Sequence, residues 1–116
     1  MKVYYLVFPP SDILYGAPAE FEGYQIDDIR KTGADVVFYW YNKGAYDGCG
    51  QVLFRAHGKW FVHDAGHCSC YGPTDALHAE PETGFESLDA VLHRCSDEYG
   101  NYLAPLIALA RKKGYK

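Results

Sequence analysis

Positive charge is scarce over most of this chain. Its 116 residues hold 11 lysines and arginines against 15 aspartates and glutamates, a formal charge of −4. Four of the bases, Arg111, Lys112, Lys113 and Lys116, fall in the last six residues, so residues 1–110 set seven bases against all fifteen acids, a balance of −8. An acidic body repels a phosphate backbone, which argues against nucleic acid as a partner. The terminal bases suit the end of a helix, where the helix dipole favours cations. Long apolar runs are missing too. The stretch "LAPLIALA" is too short to span a bilayer and contains Pro105, so no membrane role is expected. The opening "MKVYYLVFPPSD" lacks the apolar core and small-residue cleavage site of a secretory leader. An intracellular, cytoplasmic protein with reduced cysteines is therefore expected. Repeats, low-complexity tracts, a Walker loop, a dinucleotide-type glycine fingerprint and an H-E-x-x-H motif are all lacking.

Apolar surface, by contrast, is plentiful. Hydrophobic residues make up 48% and aromatic residues 16%, eleven of them tyrosines. That is ample for one globular domain over residues 1–116. Tyrosine offers a large apolar body with a polar tip and serves both cores and binding faces.

The runs "KVYYLVF" (2–8), "DVVFYWY" (35–41), "GQVLFRA" (50–56) and "KWFVHD" (59–64) read as strands. His57-Gly58 reads as a two-residue hairpin turn, which sets Phe54 opposite Phe61 and Val52 opposite His63. Val52, Phe54, Phe61 and His63 then share the expected core face. Leu53, Trp60 and Val62 share the other, which is expected to be partly covered. A helix is predicted over 24–35 with Gly33 as its stop. Two more are predicted over 85–96 and 102–113, the second capped by Asn101 with Pro105 in its first turn. The resulting fold class is α+β: an antiparallel sheet of about four strands with two or three helices packed on one face.

Chemistry concentrates in "HDAGHCSCYGP" (63–73). Extending the hairpin register brings Cys49 across from Cys68 and Cys70. Three sulfurs in one place suggest zinc, with His67, His63, His78 or Cys95 as the fourth ligand. Only one C-x-C pair is present, however, where structural zinc sites usually show two paired ligand turns. The default is therefore no cofactor. A second possibility is a small hydrolase in which Cys68 or Cys70 is the nucleophile, His63, His67 or His93 the base, and Asp64 or Asp75 the third member. A third is binding without chemistry, in which the turn presents His67, Ser69 and Tyr71 beside Tyr39, Tyr41 and Tyr46. A tight strand end in which the cysteines pack as small hydrophobes accounts for the same residues.

The octapeptide "GHCSCYGP", with "YDGCGQVLF" and "GKW" before it and "SLDAVL" and "PLIALARKKGY" after it, resembles a group of small proteins encoded by bacteriophages and prophages. The resemblance covers about residues 36–116. It implies a viral accessory protein in the host cytoplasm that binds a host protein or a small ligand, with an anti-defence or host-takeover role, and it implies no enzymatic activity. Serine often stands at the Cys49 position in that group, which weighs against a three-sulfur zinc site.

Overall fold

The two central strands explain the architecture. In a computed structural model, which describes residues 1–7, 16–67, 72–75 and 77–116 (side chains of 95–102 excepted), β3 runs Ala34–Lys43 and β4 runs Gly48–Ala56. Val36 to Asn42 is an unbroken buried run, the pattern of a strand covered on both faces. β1 (Lys2–Tyr5) and the two-residue β2 (Ala17–Pro18) both flank β3 on one side. β4 flanks it on the other, and β5 (Lys59–Asp64) follows, so the path is β1-β3-β4-β5. Helix α1 (Gly23–Arg30) precedes β3, and α2 (Leu88–Lys112) follows a single 3₁₀ turn at Pro81–Thr83.

The α+β class therefore holds, with adjustments. The sheet is mixed: β1 lies parallel to β3, with Lys2 beside Val36 and Tyr5 beside Tyr39. The reason is the crossover through α1, which returns the chain to the end of the sheet where β1 began. The β4–β5 hairpin has the expected register, Phe54 to Phe61 and Val52 to His63, and both turn residues adopt positive φ, His57 at 56° and Gly58 at 77°.

Strand alternation divides the core in two. Val36, Phe38, Trp40, Leu53 and Trp60 pack under α2 through Leu88, Val91, Leu103, Leu106, Ile107 and Ala110. Val37, Tyr39, Tyr41, Val52, Phe54 and Phe61 form the second cluster with Phe21 and with Ile26 and Ile29 of α1. The Leu53/Trp60 face, expected to be only partly covered, thus carries the longest helix.

Three boundaries move. α1 ends at Arg30, because residues from Ala34 onward already belong to β3. The two C-terminal helices are one, with Pro105 inside it and Asn101, the expected cap, within its span. Apolar residues before and after the proline, Leu88, Val91, Leu103, Leu106, Ile107 and Ala110, pack on the sheet and outweigh the single backbone bond that proline removes. The cap is Ser87, whose hydroxyl accepts from Ala90 N–H at 3.1 Å. Phe85, expected in the helix, instead forms a two-bond bridge with Trp60 at the outer edge of β5. The chain folds back past α2 so that Tyr115 stands edge-on to Phe38 and Trp60, and the Arg55 guanidinium lies 4.9 Å from its ring centroid. No described helix is long and apolar enough to cross a membrane.

Candidate functional site

Past Asp64 the chain keeps its hairpin register. Gly48 and His67 exchange backbone hydrogen bonds of 3.1 and 3.0 Å, and Ala65 N–H donates to the Gly50 carbonyl at 2.9 Å. This carries the His67 ring to Tyr41 of β3, whose hydroxyl is hydrogen-bonded to His67 Nε2. Burial, before any neighbouring charge, pushes the Tyr41 phenol above its ordinary range, so the phenol keeps its proton. Glycine is required at position 48: a Cβ there would lie 2.7 Å from Tyr41 Oη and 2.8 Å from His67 Nε2.

Residues 72–75 and 77–79 lie over the α1 face, and the first three are tied down. Gly72 N–H donates to Asp75 Oδ2 at 2.8 Å, and His63 Nε2–H donates to the Pro73 carbonyl at 2.8 Å. Thr74, 3% exposed, donates its hydroxyl to Asp28 Oδ2 on α1 at 2.7 Å. Leu77 and Ala79 pack against the Val37/Phe54 cluster. His63 is thus a strap to this segment. Its burial lowers its pKa; the Pro73 bond and Asp64 oppose the shift, and His78 adds to it.

Two hollows flank this segment. The smaller, about 120 Å³, is lined by Glu20, Glu22, Tyr24, Tyr41, Lys43 and His67, with Gly72 and Pro73 on its rim. The larger, about 510 Å³, runs between the C-terminal end of α1 and residues 74, 75 and 77–79. Asp28, Lys31, Thr32, Thr74, Asp75 and His78 give its polar lining, and Leu77 and Ala79 its apolar part. A volume of that order is typical of a site for a small molecule.

The sequence-predicted residues divide accordingly. His67 and Tyr41 are brought together and share a hollow. Tyr39 is a core residue, 2% exposed, with its ring stacked on Phe21 and its hydroxyl accepting from Phe21 N–H at 2.9 Å. It therefore supports the α1 face from beneath and does not border a surface. Tyr46 is 79% exposed in the β3–β4 connection and lines neither hollow. Cys68, Ser69, Cys70 and Tyr71 lie outside the described residues, as does the side chain of Cys95. Cys49 packs in the α2 cluster, whereas His67 reaches Tyr41 in the opposite cluster, so the sheet separates these two members of the proposed zinc set. Among the described residues no three histidine, cysteine, aspartate or glutamate side chains converge as a metal site would need. Burial, then Asp64 and Asp47, push the Cys49 thiol up, which keeps it protonated and poorly nucleophilic.

The larger cleft was missed in the sequence because its walls are 40 to 50 residues apart. Asp28 and Thr74 belong to no motif there. Glycine and proline at 72 and 73 announce a turn but not the surface it lies against.

Comparisons with protein-family models, with curated proteins and with solved structures find no match to this chain.

Proposed function

We propose that this chain is a non-enzymatic ligand-binding domain that takes up a small polar molecule in the cleft between α1 and residues 74, 75 and 77–79. The observation that carries the reading is the 510 Å³ volume of that cleft together with its polar lining. Its walls are fixed in advance: Thr74 locks one to the other through Asp28, and His63 secures the approach through Pro73. A site held this way loses little freedom on binding. The cellular setting follows from the phage-type resemblance: a small accessory protein acting in the host cytoplasm, either by sequestering a host metabolite or by displacing one from a host protein.

Backbone amide mapping by NMR against a fragment set tests this. Shifts concentrated at Thr32, Thr74, Leu77 and Ala79 are the expected result. Hits that leave these amides still would sink it. Capture of a host protein is the competing reading, favoured by the outward-facing Tyr24 and Tyr46, 58% and 79% exposed. It predicts partner binding lost in a Tyr24→Ala, Tyr46→Ala double variant and unaffected by changes in the cleft.

A further inference from the structure

The larger cleft is lined by charges of both signs. Thr74 bonds Asp28 across it, and Asp75, the next residue in the chain, also lines it. Each has one oxygen already engaged, Asp28 Oδ2 by Thr74 and Asp75 Oδ2 by the Gly72 amide, and each keeps Oδ1 for another donor. Lys31, the residue that caps the C-terminus of α1, lies three residues after Asp28, roughly 4.5 Å of axial rise, and Thr32 follows it. On the facing wall His78 stands three residues beyond Asp75. Each wall therefore carries an acidic and a basic side chain. Lys31 belongs to no ion pair among the described residues, although Asp28 is its i−3 neighbour. The Thr74 hydroxyl holds Asp28 instead, and Lys31 lines the cleft with no carboxylate partner among the described residues. Leu77 and Ala79 add an apolar part to the same lining.

A cation alone would match only the carboxylates, and an anion alone only the lysine. From opposite charges lining one cleft of about 510 Å³ we infer that the ligand is a small zwitterion of about dipeptide size, its ammonium on Asp28 and Asp75 and its carboxylate on Lys31. This rests on the ligand-binding reading above and adds the ligand's chemical class. The Thr32 hydroxyl donates to the Ile29 carbonyl at 2.6 Å, so its oxygen is left with acceptor capacity for the ligand backbone.

Three probes separate the contributions: alanyl-alanine, its C-terminal amide, which lacks the carboxylate, and its N-acetyl form, which lacks the ammonium. Titrations followed by NMR at Thr32, Thr74 and His78 should show the free dipeptide binding about tenfold more tightly than either blocked form. Lys31→Gln should abolish the preference over the amide and leave the preference over the N-acetyl form. Asp28→Asn, which keeps an acceptor for Thr74, should do the reverse, and Asp75→Asn should follow Asp28→Asn. A change that merely loosened the fold would weaken all three probes alike. Equal binding of the three probes, or variants that fail to separate the two preferences, overturns the zwitterion inference and leaves a ligand site standing. Absence of any shift at these residues with every probe at millimolar concentration, while an unrelated fragment does shift them, overturns the class alone. Silence to both overturns the class and the site together.

Discussion

The two faces of the sheet are built from the same strands and do different work. Under α2 the contacts are almost all apolar, and the edge is closed by Tyr115 and Arg55 over Trp60. Under α1 the apolar cluster is smaller at its margin. It is laced with single polar ties: Phe21 to Tyr39, Tyr41 to His67, His63 to Pro73 and Thr74 to Asp28. A long amphipathic helix can bury a continuous stripe and leave no gap. A helix of eight residues cannot, so irregular chain must complete the cover. Irregular chain carries backbone polar groups that need partners, and where it arches between those partners it leaves hollows. Stability should therefore reside mainly in the first face and recognition in the second.

The largest effect expected is on the α2 face. Leu106 is fully buried against the sheet. Leu106→Ala should lower the unfolding free energy by about 3–4 kcal/mol, read from urea titration. Leu77→Ala, at the half-buried margin of the other face, should cost about 1–2 kcal/mol. Equal losses would erase the distinction between the faces. Thr74→Val comes next. It removes a buried hydroxyl's bond to a carboxylate and should cost about 1–2 kcal/mol. Unlike Leu106→Ala, it should also weaken fragment binding in the cleft, because Asp28 is left to rotate. Retention of full binding in Thr74→Val would detach the tie from the site.

A smaller effect should appear with pH, again on the α1 face only. Burial lowers the His63 pKa in the folded chain below its ordinary 6.5, against the pull of the Pro73 carbonyl and Asp64 and with the push of His78. The unfolded chain then binds the proton more readily. The stabilisation is complete above 6.5 and is lost as pH falls through that value toward the folded pKa. Melting temperature should therefore fall between pH 7.5 and 5.5, and His63→Gln, which keeps a donor for Pro73, should flatten that part of the curve. An unchanged slope in the variant would assign the dependence to another group.

Much of the sheet was legible in the sequence because it is specified by near neighbours. β-branched and aromatic runs mark β3, β4 and β5, and His57-Gly58 sets the hairpin register as far as His67. That register is what brings His67 within reach of Tyr41, although their pairing also needed the position of β3, which local pattern does not supply. Features that depend on distant packing were less legible. The fused helix α2 looks like two because proline and asparagine are local stop signals, and only the sheet beneath shows why they are overridden. The parallel placing of β1 depends on the path through α1. Tyr39 looked like a surface tyrosine because its polar tip hides that its partner is a buried backbone amide, Phe21 N–H. The cleft is the extreme case, since neither of its walls carries a motif.

The smallest expected effect tests whether the hairpin that carries the site's register is itself optimised. His57 holds φ of 56°, a left-handed conformation that ordinary side chains avoid and asparagine accepts more readily. Two contributions compete in His57→Asn. Relief of backbone strain stabilises the turn, while loss of the imidazole, whose ring lies over Gly33, removes a contact. His57 is exposed, so that contact shields little apolar surface, and the backbone gain should win. The variant should be more stable by roughly half a kcal/mol, with the β4–β5 register and the amide spectrum around His67 unchanged. A loss of stability would mean that the histidine ring, not the turn geometry, fixes the β3 end of α1 to the hairpin. The α1 face would then depend on one more side-chain tie, this one at the opposite end of β4 from the Tyr41–His67 pair.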